Sequence, residues 1–342
     1  MTTKHVAHQK LQTIWMSFTF VTILALFLSG CGSAPQAKVY HVGILSGLSA
    51  FSPAVDGFKA EMTKLGYTEG KNIIYDVQSS DVDTAAYKTA VKKFIDEKVD
   101  LIFAFPTEAA MEVKADTQGT NIPVIFTLAF TDVPGVDLIK SISAPGGNIT
   151  GVRFPSVDIA SKRLQILLQI VPTASRVFVP YLKGYPNVPG QLDVIRQQAK
   201  TQGVELVEFA ATSPQDLQAE LDRRVASGDI GFDAILQVAE PLSITPAFYD
   251  VLGKFSYANK IPVGGALMDS TGNSSIFGLL PQADVAGQQS ALLADKIFKG
   301  TPAGTIPVLT SDSYFQINYK ATQVFGLTVP EGLLKQADQV IR

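Results

Sequence analysis

From position 39 to the end of the chain, short apolar runs rich in β-branched residues alternate with longer stretches of helical period. This alternation constrains the fold more than any other feature. A strand followed by a helix and then another strand makes a right-handed crossover, so the sheet is parallel and helices cover both of its faces. In the first half the expected strands are 39–45, 73–77, 101–105, 124–126 and 149–152, with helices at 54–65, 84–97 and 107–117. Leu65-Gly66-Tyr67 reads as a glycine-terminated helix end. A second series of the same kind follows Pro145-Gly146-Gly147-Asn148. It has helices at 157–170, 191–201, 214–226 and 246–259 and strands at 177–179, 205–209, 234–238 and 262–264.

At 342 residues the chain has room for two compact units. The expected fold is α/β, two doubly wound parallel-sheet lobes joined by a hinge, with the glycine- and proline-rich stretch before 149 as the crossover. The tail adds a strand at 276–280, a helix at 283–298, a Gly/Pro-rich passage at 300–307 and a strand at 314–318 before a short helical end. An extra strand and helix after the second series imply a return to the first lobe. The expected division is 39–152 plus 276–306 for the first lobe and 153–275 plus 307–342 for the second.

The first thirty positions follow the order of a secretory signal. Lys4 and Lys10 supply the positive start, and 14–28 is an apolar run of about 15 residues, shorter than the roughly 20 that a membrane span needs. Leu28-Ser29-Gly30-Cys31 resembles the lipobox of bacterial lipoproteins, and Cys31 is the only cysteine in the chain. The expected organisation is a signal peptide at 1–30 and a lipid-anchored tether at 31–38 that begins at an acylated, palmitate-bearing Cys31. A diacylglycerol thioether with an added N-acyl chain holds a protein on a bilayer permanently. The expected location is therefore the extracytoplasmic face of the cell membrane.

Composition removes several classes of function. A net charge of -3 with no basic run offers no footprint for nucleic acid. Beyond Cys31 there is no thiol, so no disulfide, thiol nucleophile or zinc–thiolate site is available. The one histidine after the signal is His41, inside a strand-like run, and it reads as structural. No metal or cofactor is expected, and no Walker-type or nucleophile-elbow motif is present.

In doubly wound sheets, ligands bind outside the carboxyl ends of the strands. The strand-exit segments 46–53, 106–108 and 127–132 in the first lobe face 181–187, 240–242 and 268–270 in the second. Over nearly all of the chain after the tether, the sequence resembles the ABC-transporter substrate-binding lipoproteins of the tryptophan/tyrosine type. The residues that carry the resemblance are Pro145-Gly146-Gly147-Asn148-Ile149-Thr150-Gly151-Val152, similar to the family's interlobe crossover, and Gly57-Phe58 with Gly70-Lys71-Asn72. Val99-Asp100-Leu101-Ile102, Ile122-Pro123-Val124-Ile125-Phe126-Thr127, Lys260-Ile261-Pro262-Val263 and Ile306-Pro307-Val308 follow in the family's order. The resemblance implies the class I periplasmic-binding-protein fold, a small-molecule ligand, and an ABC permease and ATPase as partners.

Residue by residue, Thr107 with Ala109-Ala110 resembles a helix-opening turn that takes a ligand carboxylate, with Glu108 where the family has proline. Thr127 and Thr131-Asp132 resemble the family's Thr…Thr-Asp-Pro stretch, though Val133 precedes the proline here. Tyr181 and Asn187 match a tyrosine and an asparagine in the loop after the second lobe's first strand. Glu240 stands where the family often has threonine, and Asp269 matches an acidic cleft position. Ser46, Phe51, Phe130 and Tyr185 lie in the same loops and complete the expected binding set. The expected ligand is an aromatic or branched amino acid, with its carboxylate near Thr107 and its ammonium near Asp132, Glu240 or Asp269. The protein is expected to act as a monomer, by capture rather than catalysis. A ligand sensor of the same fold serving a receptor stays open, as does an exported hydrolase using Glu108, Glu240 or Asp269.

Overall fold

The computed structural model describes residues 38–342 apart from Val82. The expected signal, the Cys31 lipidation site and most of the tether lie outside the described residues. The unit from Tyr40 to Arg342 contains two main sheets.

In chain order the first half comprises β1 (Tyr40–Ser46), α1 (Pro53–Lys64), β2 (Ile73–Ser79), α2 (Thr84–Asp96), β3 (Leu101–Phe105), α3 (Thr107–Asp116), β4 (Val124–Ala129) and β5 (Ile149–Arg153). The second begins with α4 (Ser156–Ile170), β6 (Arg176–Leu182), α5 (Val188–Gln202), β7 (Glu205–Ala211) and α6 (Pro214–Ala226). It continues with β8 (Ala234–Leu236), α7 (Pro246–Asn259), β9 (Val263–Gly264) and the hairpin β10 (Asp269–Ser270) and β11 (Asn273–Ser274). The tail holds β12 (Phe277–Pro281), α8 (Ala283–Phe298), β13 (Leu309–Thr310), β14 (Ser313–Asn318), α9 (Tyr319–Val324), α10 (Glu331–Gln336) and β15 (Gln339–Ile341).

The first sheet runs β13-β5-β4-β3-β1-β2, all parallel. Its central strands β1, β3, β4 and β5 are buried on both faces because alternate residues serve opposite helix layers, while the edge strand β2 is partly exposed. Val42, Ile44, Leu101, Phe103 and Phe105 pack with Phe58 of α1 and Ala286 and Leu293 of α8. Leu45, Ile102 and Ala104 pack with Tyr87, Val91 and Phe94 of α2 and Val113 of α3. The second sheet runs β7-β6-β8-β9 and is wound in the same way, with Val177 and Val179 toward α4 and α5 and Phe178 toward α6 and α7. Local signals start the helices: Asp83 accepts from Ala85 N and Ala86 N at the head of α2, and Ser213 caps α6 ahead of Pro214.

The tail divides differently from the sequence reading. β12 pairs antiparallel with β14, and a bridge from Gly265 to Gly278 ties it to the second lobe's sheet. α8 returns to lie on α1, the passage at 303–306 packs beside β5, and β13 then joins β5, so 283–310 belongs with the first lobe. The segment 145–152 also differs from its expected role. Gly146 and Gly147 turn the chain into β5, which belongs to the first sheet, so the passage to the second lobe comes after Arg153.

Asp233, just before β8, accepts from Ser175 N (2.8 Å), Ser175 Oγ (2.9 Å) and Arg176 N (2.9 Å) at the start of β6. Burial alone would raise its pKa, but these donors and the Arg176 charge outweigh it and hold the carboxyl below the usual range. Its contribution is complete above the unfolded value near 3.9 and disappears as pH falls through the lower folded value. Asp233→Asn is expected to cost about 1–2 kcal/mol at neutral pH in urea unfolding. In strongly acid solution variant and parent should unfold alike, and a gap that persists there would count against the account.

Candidate functional site

The carboxyl ends of both sheets face a shared cavity of about 370 Å³. On the first lobe's side, β1 ends at Ser46 and a single turn brings Leu48 and Phe51 to the wall. β3 gives way at Pro106 to α3, whose first turn carries Glu108. A bulge in β4 leaves Leu128 between the paired Thr127 and Ala129, at φ 50°, an uncommon conformation for leucine, and its side chain lines the cavity. The Thr107 hydroxyl accepts from Phe130 N at 3.0 Å, tying the β4 exit to the start of α3. Phe130 then meets Phe154 edge-on, ring centres 5.5 Å apart.

On the second lobe's side the loop after β6 presents Tyr185, whose ring stands edge-on to Phe130 at 6.4 Å. Its hydroxyl donates to Glu108 Oε1 at 3.2 Å, a hydrogen bond across the cleft. Burial first, then the Glu108 charge and bond and the Glu240 charge, push the tyrosine pKa well above its ordinary value. It stays protonated and remains a donor.

The exit of β8 is held from beneath. Asn187 Nδ2 (2.6 Å) and Gln191 Nε2 (2.9 Å) donate to Ala239 O, and Ala239 N donates to Gln191 Oε1 (2.8 Å). Glu240, buried at the wall, accepts from Ser243 N and Ser243 Oγ at 3.0 Å each. Arg163 of α4 is completely buried and also reaches the cavity. It donates to Leu279 O from Nε (3.1 Å) and Nη2 (2.9 Å) and to Gln237 O from Nη1 (2.9 Å). Burial lowers its pKa to about 9 against the opposing pull of Glu240, so it is charged at neutral pH.

Of the residues expected at the site, Phe51, Glu108, Phe130, Tyr185 and Glu240 line this cavity, whereas Ser46, Thr107, Thr127, Asp132, Tyr181, Asn187 and Asp269 do not. Each of the latter group has local work. Thr127 Oγ1 sits 3.5 Å from Ala286 O, Asp132 pairs with Arg153 at 3.5 Å, and Asn187 braces Ala239. Asp269 belongs to the β10–β11 hairpin, where it accepts from Ser274 Oγ, and Tyr181 lines a separate depression beside Arg196. Ser46 is buried at the end of β1, where its carbonyl accepts from Ser80 N. Sequence reasoning missed Arg163. Its signal was a cation inside the apolar stripe formed by Ile159, Ala160, Leu164 and Leu167, a position where arginine is buried only with partners.

His41, Asp76 and Glu97 bring ligand-type atoms within 4.8 Å of one another, but Lys93 donates to Asp76 and lies 3.7 Å from Glu97. An ammonium already serves that grouping, on the opposite side of the first sheet's strand ends from the cavity. Among the described residues, no helix is long and apolar enough to cross a membrane.

Residues 41–341 match the family model of the ABC transporter substrate-binding proteins. The chain belongs to that family. This binding protein is 27% identical over 263 residues to a tyrosine-binding protein of Clostridioides difficile, a match covering 76% of this chain and 72% of the relative. Its fold is shared with a Streptococcus pneumoniae ABC domain crystallised with L-Trp, at TM-score 0.73 and 22% identity over 89% of this chain and all of the other. A ligand-free, open substrate-binding protein with adhesive properties from Clostridium difficile matches at TM-score 0.70 and 25% identity, over 89% and 99% of the two chains. A Bacillus halodurans solute-binding protein holding myo-inositol has the same architecture, at TM-score 0.61 and 15% identity over 89% and 99%. Family and fold are those of substrate-binding proteins rather than enzymes, and they imply a small-molecule ligand and a permease partner.

Proposed function

We propose that this binding protein captures an aromatic amino acid between its lobes and delivers it to an ABC permease, acting as a monomer held at the extracytoplasmic membrane face by lipid on Cys31. The observation that carries the reading is the cavity walled by Phe51, Phe130, Phe154 and Tyr185, with Glu108, Glu240 and Arg163 as its charged groups. Rings bury the flat part of such a ligand and contact it edge or face, and its polar end needs charged partners in so apolar a space. The tyrosine-binding relative and the L-Trp-bound neighbour favour the same ligand class. Ligand stabilises the closed arrangement by bridging the two walls, and the permease reads closure. No covalent step is involved.

Isothermal titration against a panel of amino acids and nucleosides tests the ligand class: L-tryptophan, L-tyrosine or L-phenylalanine should give saturable heats. Silence from every amino acid would overturn it. Native mass spectrometry of protein extracted from membranes reads the anchor and the cargo together. A chain beginning at acylated Cys31 and carrying an unchanged amino acid is expected; an unprocessed start would refute the anchor alone, and a cleaved or altered ligand the absence of catalysis.

A further inference from the structure

We infer that Glu108 and Glu240, one from each lobe, form a divided seat for the ligand's ammonium, so that a positive charge on the ligand, more than its carboxylate, draws the cleft shut. The inference rests on the aromatic-amino-acid reading above and sets the ligand's orientation within it.

Where α3 begins, a ligand carboxylate would need free donors and no competing anion. Glu108, in the first turn of α3, already sets a carboxylate against the positive end of the helix while lining the cavity. A second anion there meets repulsion. Across the cleft Glu240 adds another carboxylate, and both acids act on the same Tyr185 hydroxyl. That hydroxyl has one proton, and it goes to Glu108. Arg163 is the only cation at the wall among the described residues, and its bonds to Gln237 O and Leu279 O hold it against the second lobe. The wall therefore sets two carboxylates, one from each lobe, against a single guanidinium.

Like charges brought together in an apolar enclosure raise the energy of closure, and a cation between them lowers it. An ammonium carries three donors to share between two carboxylates, and Phe130 and Tyr185 line the same cavity. The ligand's ammonium thus lies toward Glu108, the reverse of a carboxylate seated at that turn.

Three matched probes test this on the full chain in detergent by titration calorimetry: L-tryptophan, tryptamine, which lacks the carboxylate, and indolepropionate, which lacks the amine. Tryptamine is expected to bind within about tenfold of L-tryptophan and indolepropionate at least about 30-fold more weakly, the scale of stranding a buried charge. Tyrosine, tyramine and hydroxyphenylpropionate form the parallel series. If the propionates bind as the amino acids do and the amines do not, the ammonium seat is overturned and the amino-acid reading stands. Silence from all six overturns both. Glu108→Gln should weaken amino acid and amine by about tenfold or more while leaving the propionate unchanged or tighter. A uniform loss for all three probes would make Glu108 merely structural and overturn the proposal.

Discussion

Arg163→Leu is expected to lower folding stability by about 3–5 kcal/mol, the largest effect of any single side chain in the second lobe. Exchanging an entire buried ionic group for apolar residues of similar shape is often harmless, because no partner is left behind. Here the partners stay. Gln237 O, just past β8, and Leu279 O, in the middle of β12, lose their guanidinium donors, and Glu240 loses the cation that offsets its charge at an apolar wall. Leucine fills part of the volume and answers none of these groups. Urea unfolding followed by circular dichroism measures the cost, and a loss below about 1 kcal/mol would mean that the carbonyls find other donors. Arg163→Leu with Glu240→Leu should recover part of the loss by removing the stranded charge, a coupling that a double-mutant cycle resolves.

The second large effect is expected where the returning helix meets the first lobe. α1 and α8 approach so closely that a Cβ on Gly57 would stand 1.9 Å from Asp284 O, and one on Gly287 would stand 2.1 Å from Ala54 O. The obstacle is backbone on both sides, so neither helix can yield by rotating a side chain. Gly287→Ala is therefore expected to cost about 2–3 kcal/mol through forced separation of the helices, despite alanine's better helix propensity. Gly332→Ala in α10 is the control. Nothing stands near its would-be methyl, and the change should be neutral or slightly stabilising. Thermal unfolding of the pair distinguishes overpacking from any general effect of losing glycine, and equal behaviour would refute the close-approach argument.

The regular elements were legible because period 2 and period 3.6 are written in the side chains themselves. Leu101–Phe105 and Thr107–Asp116 appear where the pattern put them. β13 and β15, two and three residues long, carry no period and were not visible, whereas the equally short β8 and β9 showed through the apolar runs at 234–238 and 262–264. The sheet that β12 joins was not legible either. Its apolar run specifies a buried strand, while its partner β14 lies more than thirty positions later and is chosen by packing. The site was legible as a set of loops, because strand ends converge in this architecture. Which loop residues turn inward was not. Asp132 and Asp269 looked like cleft acids, but Arg153 and Ser274 lie within reach and hold them elsewhere. Thr107 kept its place at the head of the helix, and its hydroxyl went to Phe130 N. Arg163, by contrast, was written in the sequence as a charge inside an apolar stripe.

The return of α8 also bears on how the molecule is made. Tyr40, in the first strand, bonds through its hydroxyl to Phe298 O, 258 positions later. β5 acquires its outer neighbour only at Leu309–Thr310. A ribosome releases the chain from its beginning, so the first lobe waits for nearly the whole of the second before its helix layer and sheet edge can form. Contacts of such long span slow folding. The earliest strand made is thus denied its final partners until almost the last residues arrive, and the first lobe is completed by the end of the chain rather than by its beginning.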